Sequence, residues 1–111
     1  MSHLIAVASS DGKVVNQHFG HSRQFLIFEI KDENSWEFKE LRNTQPACSE
    51  SQHSEASMQE AVEALSDCSA VLVSQIGYGA VQALNSRGIR AFVVRDIIND
   101  ALNEVIPLLK Q

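Results

Sequence analysis

Residues 4–28, LIAVASSDGKVVNQHFGHSRQFLIF, decide the fold, because they hold two apolar runs on either side of a polar, glycine-containing loop. The runs 4–8 and 25–28 are short and apolar, which is typical of buried strands. The loop begins with the turn-forming sequence SSDG and ends with HFG at 18–20. We expect this histidine to have a fixed backbone near the end of a sheet, where it could bind a metal or an anion.

Composition limits the class of protein. A chain of 111 residues with 44% hydrophobic residues predicts one domain over 1–111 with one modest core. The net charge of −5 and the lack of a basic stripe argue against a nucleic-acid partner. The longest wholly apolar run has five residues, whereas a membrane-spanning helix needs about 20. Because the start of the chain does not resemble a signal peptide, Cys48 and Cys68 are expected to be reduced in a cytoplasmic protein.

The first half of the chain predicts an antiparallel arrangement. A third strand is predicted over 36–41, joined to the second by a short polar hairpin loop. Its alternation places Trp36 and Phe38 on one face and Leu41 on the other. The polar segment 43–55 is predicted to be a loop, and loops of this length are often functional.

The second half of the chain alternates helix-like and strand-like segments. Ser57 and Glu60 have the spacing of a capping box, which predicts a helix that begins at Ser57. The elements predicted after it are a strand over 70–73, a tight turn over 76–79, a helix from Ala80 to the C-cap Gly88, a strand over 90–94 and a helix capped by Asp96 and shortened by Pro107. The core positions of the two outer helices are predicted at helical spacing, at Met58, Ala61, Val62 and Leu65 and at Ile97, Ala101, Leu102, Val105 and Leu109.

These elements predict one α/β sheet that is antiparallel at one side and parallel at the other. Ligands of such sheets bind beyond the carboxyl ends of the parallel strands. The segments that leave those ends are 9–20, 74–79 and 95–96. We therefore expect the histidine loop and the glycine turn to meet at one end of the sheet.

Several features of the histidine loop have a structural interpretation as well as a functional one. His18 could hydrogen-bond within the loop, or its imidazole could bind a ligand. Phe19 is expected to anchor the loop in the core, and Gly12 and Gly20 are expected to supply a positive φ or a close backbone approach. His21 is either a solvated neighbour or a second imidazole.

The other candidate residues lie outside this loop. Cys48 and His53 combine a thiolate with an imidazole, which suits soft metals and iron–sulfur clusters, although this pair alone is a weak signal. Cys68 is expected to be a small buried hydrophobe. The N–H groups around Gly77 and Gly79 could receive an anion at a helix N-terminus, or the glycines could simply permit a sharp connection.

Taken together, the motifs resemble the dinitrogenase iron–molybdenum cofactor biosynthesis family. The resemblance covers nearly the whole chain and rests on residues 5–12, 14–15, 18–20, 25–27, 67–73, 76–80 and 87–89. It implies a ribonuclease-H-like fold and a non-catalytic carrier of an iron–sulfur or iron–molybdenum–sulfur cluster. The implied partners are cluster donor and acceptor proteins, and the expected state is a monomer or a weak homo-oligomer.

The resemblance also implies roles for single residues. His18 corresponds to the candidate metal ligand, with Phe19 and Gly20 orienting it. Cys48 and His53 match the ends of a segment that supplies further ligands in many members, but polar residues replace the glycines of that segment here.

Two other classes of function stay open. A metal-dependent nuclease on the same fold would need several converging carboxylates, and Asp11 and Asp96 are the acidic residues at predicted strand ends. A regulatory module without metal would bind a small anion at the glycine turn.

Overall fold

The computed structural model describes residues 3–22, 24–32, 35–43 and 55–110. The strands are β1 (His3–Ala8), β2 (Gln24–Asp32), β3 (Ser35–Asn43), β4 (Ala70–Val73) and β5 (Arg90–Val93). The α-helices are α1 (Glu55–Ala64), α2 (Tyr78–Ser86) and α3 (Ile98–Val105). Two 3-10 segments, Phe19–His21 and Ile106–Lys110, complete the described elements.

The strands form one mixed sheet in the order β3-β2-β1-β4-β5. β2 is antiparallel to both β1 and β3, while β4 is parallel to both β1 and β5. This arrangement confirms the predicted α/β sheet with an antiparallel and a parallel side. Within the described residues, no helix is both long and apolar enough to cross a bilayer.

The central strands β1 and β4 are buried on both faces of the sheet, since successive side chains point to opposite faces and both sets are covered. One face carries the apolar residues that pack with α1 and α2, namely Ala6, Ala8, Phe25, Ile27, Val71 and Val73. The other face packs against α3 and carries Ile5, Val7, Ala70 and Leu72. Ala61, Val62 and Leu65 are buried as predicted, whereas the side chain of Met58 lies outside the described set.

The predicted helix starts at Ser57, Ala80 and Asp96 are wrong. α1 already begins at Glu55, because Glu and Ala are strong helix formers that extend it past Ser57. α2 begins at Tyr78, so Gly79 belongs to its first turn.

The start of α3 is displaced by tertiary pairing. The carbonyl of Asp96 accepts a hydrogen bond from the Val15 N–H at 2.9 Å, and Val14 forms an antiparallel bridge with Ile97. This pairing keeps Asp96 and Ile97 extended, so Ile97 occupies the cap position. Ile97 is 54% exposed and Ile98 takes the core position that was predicted for it.

The predicted ends of two helices are confirmed. Gly88 follows α2 with φ of +77°, and the Ile89 N–H donates to the Leu84 carbonyl at 2.9 Å, as in a glycine-terminated helix. α3 ends at Val105, and the chain continues as a 3-10 segment that contains Pro107.

A β-bulge in β3 changes one predicted face. Ile27 pairs with Glu40, but Phe28 pairs with Phe38, so Lys39 is an additional residue in β3. Leu41 pairs with Leu26, which lies on the same face of β2 as Phe28. Leu41 therefore shares a face with Phe38, and the prediction that it lies opposite is wrong.

Candidate functional site

The histidine loop, residues 9–20, is held by its own polar groups. Asp11 Oδ1 accepts hydrogen bonds from the N–H groups of Lys13 at 2.9 Å and Val14 at 3.2 Å. These bonds lower the pKa of the Asp11 carboxyl group. Gly12 has φ of +76°, which confirms its predicted role, because residues with a Cβ atom rarely adopt this backbone conformation. The start of the loop is thus a fixed turn.

The end of the loop is bound to the carboxyl end of β4. The Ser74 N–H donates to the Gln17 carbonyl, and the Phe19 N–H donates to the Gln75 carbonyl, both at 2.9 Å. His18 lies between these bonds and forms a parallel bridge with Gln75. The histidine backbone is therefore fixed beside the segment that leads into α2, as the sequence predicted.

Phe19 and His18 have opposite surroundings. Phe19 is 1% exposed, and its ring centroid lies 5.9 Å from that of Phe25 in the core. The His18 side chain is exposed. Gly20 lies in the short 3-10 segment that follows. The predicted core anchor is confirmed, and it holds an exposed imidazole at the sheet end.

The N-terminus of α2 lies close to His18, because His18 pairs with Gln75 and α2 begins three residues later at Tyr78. The first helical bond runs from the Val81 N–H to the Gly77 carbonyl at 3.1 Å, so the N–H groups before it have no acceptor within the helix. Gly77 and Gly79 are exposed, and a Cβ atom at either would meet nothing within 4 Å. The space around both glycines at this helix end is therefore unobstructed.

Two residues at this end were not singled out by sequence reasoning. Tyr78 is 76% exposed, and its hydroxyl accepts a hydrogen bond from Gln82 Nε2 at 2.9 Å. Arg95 Nε donates to the Ser74 carbonyl at 2.9 Å, which holds an exposed guanidinium beside the end of β4. The sequence feature that could have indicated Arg95 is its position directly after the strand predicted over 90–94. A cation there lies at the carboxyl end of the parallel strands.

Of the remaining candidates, the structure describes the backbone of His21 and the side chain of Asp96. Cys48 and His53 lie outside the described residues. His21 lies in the 3-10 segment after His18, and Asp96 Oδ1 accepts the Ile97 N–H at 2.8 Å. Within residues 3–22, 24–32, 35–43 and 55–110, no group of three His, Cys, Asp or Glu residues could hold a metal ion.

Cys68 belongs to the core, as predicted. It is 5% exposed, and burial raises the pKa of its thiol to about 12. A thiol that stays protonated at neutral pH is a poor metal ligand, since the thiolate is the form that binds metal.

A cavity of about 520 Å³ lies on the α3 side of the histidine loop. Its lining is mainly apolar and includes Val14, Phe28 and Ile97, with Lys13 and Asn99 as polar members. His18, Gly77 and Gly79 are not among its lining residues. The candidate site is therefore separate from this cavity.

The fold is that of a small α/β domain in which His18 and the N-terminus of α2 lie together at the carboxyl end of β4. The sequence profile described as dinitrogenase iron-molybdenum cofactor matches residues 1–108. The chain belongs to this family.

Similar proteins include two named FeMo cofactor biosynthesis protein NifB. The one from Frankia alni is 37% identical over 106 residues, which cover 92% of this chain and 20% of that protein. The one from Azotobacter vinelandii is 35% identical over 92 residues, which cover 78% of this chain and 18% of that protein. The chain thus spans about a fifth of the length of these curated relatives.

Solved structures share the fold. The crystal structure of PH0822 superposes with a TM-score of 0.65 at 23% identity, covering 94% of this chain and 89% of that one. A crystal structure from Methanocaldococcus jannaschii, described as a candidate dinitrogenase, gives 0.59 at 15% identity and covers 98% and 92%. At these identities the similarity establishes the fold alone.

Proposed function

We propose that this chain is a non-catalytic, cytoplasmic carrier of a metal–sulfur cluster, either an iron–sulfur cluster or an iron–molybdenum–sulfur cluster in cofactor assembly. The observation that carries the proposal is the His18–Gln75 bridge, which fixes an exposed histidine beside the N-terminus of α2. Membership of the iron–molybdenum cofactor family supports the choice of cargo. The strand order β3-β2-β1-β4-β5 supports a ribonuclease-H-like fold as part of the same proposal.

The chemistry of the donor groups fits such a cargo. A neutral imidazole is a suitable ligand for iron and other borderline metals, and His18 is exposed to receive one. The sulfides of a cluster are anionic, so the N–H groups around Gly77 and Gly79 and the Arg95 guanidinium would stabilise them. Cys48 and His53 would supply further ligands, and the Cys48 thiol would lose its proton on binding.

Modest affinity is what a carrier requires. Catalytic and structural metal sites commonly use three or four protein ligands in a preformed cluster, whereas the described residues contain no group of three such ligands. The cluster would therefore be held loosely enough to pass from a donor protein to an acceptor protein. These two proteins are the partners that the proposal implies.

The proposal is tested by anaerobic loading with ferrous iron and sulfide, followed by exposure to an iron chelator. Wild type should take up a cluster, seen in the visible spectrum, and release its iron within minutes. His18→Ala and Cys48→Ala should take up several-fold less. Cys68→Ala serves as the control for Cys48→Ala, because Cys68 is buried. Equal uptake by all these proteins would refute the site.

A second candidate function is an interaction module that binds a small anion at the glycine turn without metal. The open N-terminus of α2 favours it. In that case His18→Ala would retain anion binding, whereas Gly79→Val would lose it. The carrier proposal expects the opposite result for cluster uptake, with a larger loss in His18→Ala than in Gly79→Val.

A further inference from the structure

The edge strand β3 is nine residues long and largely exposed. β2 lies on its inner side, and among the described residues no strand lies on its outer side. Phe38 and Leu41, both on this strand, are 54% and 47% exposed. An edge that combines open backbone groups with exposed apolar side chains is suited to pairing with another strand.

The bulge gives this edge a symmetric pattern. Phe38 and Leu41 share one face, since they pair with Phe28 and Leu26 of β2. Glu40 lies on the opposite face, and the additional residue Lys39 shares its side, as the two residues of a bulge do. Residues 38–41 therefore read apolar, charged, charged, apolar, with the apolar pair on one face and the charged pair on the other.

We infer that β3 pairs antiparallel with β3 of a second copy of this chain, about a two-fold axis between Lys39 and Glu40. Directly opposite residues in antiparallel strands share a face. In this register Lys39 lies opposite Glu40 of the second copy, and Phe38 lies opposite its Leu41. Two-fold symmetry makes each contact twice. At positions 38–41, opposite charges therefore face each other on one face of the strand pair and apolar side chains face each other on the other.

The flanking positions agree with this register. Glu37, whose side chain is 66% exposed, lies opposite Arg42 of the second copy. Arg42 is already bonded to Asp67 and Glu40 of its own chain, so this outer pair is secondary. Lys39 forms no ion pair with a described residue of its own chain.

Adjacent registers are less favourable. A shift of one residue in either direction places Lys39 opposite Lys39 or Glu40 opposite Glu40. Like charges directly opposite each other destabilise a strand pair. The same shift also brings apolar and charged faces together. The pattern of β3 therefore selects one register.

The test is the molar mass of the full chain, measured by sedimentation equilibrium over a range of concentrations. Wild type should approach twice the chain mass of 12.3 kDa as concentration rises. Lys39→Glu and Glu40→Lys each create like-charge pairs and should each weaken self-association by about tenfold or more. Arg87→Glu, a charge reversal at the far end of α2, should associate like wild type.

Mixing the two charge variants tests whether the charges at positions 39 and 40 control association. A chain with Glu at both 39 and 40 is complementary to a chain with Lys at both, so an equimolar mixture should recover association. Circular dichroism of each variant establishes that it is folded. A monomeric wild type at every concentration, or a mixture that does not recover association, would overturn the inference.

Discussion

At the scale of the residue, the candidate site depends on the contrast between Phe19 and His18. Two contacts fix Phe19. Its ring is buried in the core, and its N–H donates a hydrogen bond to the Gln75 carbonyl. The position of the imidazole one residue earlier follows from these two contacts. The burial of Phe19 could be predicted from the sequence, because a large aromatic side chain in a polar loop is most stable when it packs into the core.

Phe19→Ala should lower the free energy of unfolding by about 3–5 kcal/mol, because it removes a buried ring and leaves a cavity. Tyr78→Ala is the control, since Tyr78 is an aromatic residue that is 76% exposed, and it should change stability by less than about 1 kcal/mol. Urea unfolding measures both values. A small loss for Phe19→Ala would mean that the loop is not anchored by this ring.

At the scale of the element, the sequence predicted the strands better than the helix starts. Short apolar runs rich in β-branched residues and bounded by turn signals, such as 70–73, favour a buried strand. The start of α3 depends on contacts with the histidine loop, which is distant in sequence. The Val14–Ile97 bridge, for example, keeps Asp96 from capping α3, and no local pattern indicates it. The bulge at Lys39 likewise depends on pairing with β2.

The two glycines in the site region should respond in opposite ways to alanine. Gly79→Ala should raise the free energy of unfolding by about 0.5 kcal/mol, because Gly79 is helical with open space around it. Gly12→Ala should lower it by about 1 kcal/mol, because φ of +76° is strained for alanine. Thermal and urea unfolding give both signs. A stabilised Gly12→Ala would contradict the loop conformation described here.

The Arg42–Asp67 pair joins the edge strand to the end of α1. Arg42 Nη1 donates to Asp67 Oδ1 and to the Ala64 carbonyl, both at 2.7 Å. The guanidinium lowers the pKa of the Asp67 carboxyl group below its usual value of 3.8. The stabilisation is therefore present at neutral pH and is lost as the pH falls through the lowered pKa.

Asp67→Asn should accordingly lower the free energy of unfolding at pH 7 by about 1 kcal/mol, since this pair is partly exposed. The difference from wild type should vanish below the lowered pKa of Asp67. Glu104→Gln, which removes an exposed carboxylate from α3, is the control. Urea unfolding over a pH series checks this prediction, and a difference that persists in acid would contradict it.

At the scale of the whole molecule, the mixed sheet brings three distant segments to one end. The histidine loop, the glycine turn and Arg95 meet there because β1, β4 and β5 are parallel. The mixed sheet and the meeting of the histidine loop with the glycine turn could therefore be predicted from the sequence. The position of Arg95 after a predicted strand could be read from the sequence, but its hydrogen bond to the Ser74 carbonyl could not. The ligand roles of Cys48 and His53 stay predictions.

The central claim is that His18 is the residue that holds a cluster. The most direct measurement is the iron content per chain after anaerobic loading of His18→Ala and His3→Ala. His3 is a matched control, because it lies at the opposite end of β1 and its Nδ1 lies 2.8 Å from Ser69 Oγ. We predict that His3→Ala retains the iron content of wild type and that His18→Ala loses most of it. Equal iron content in the two variants would contradict the account.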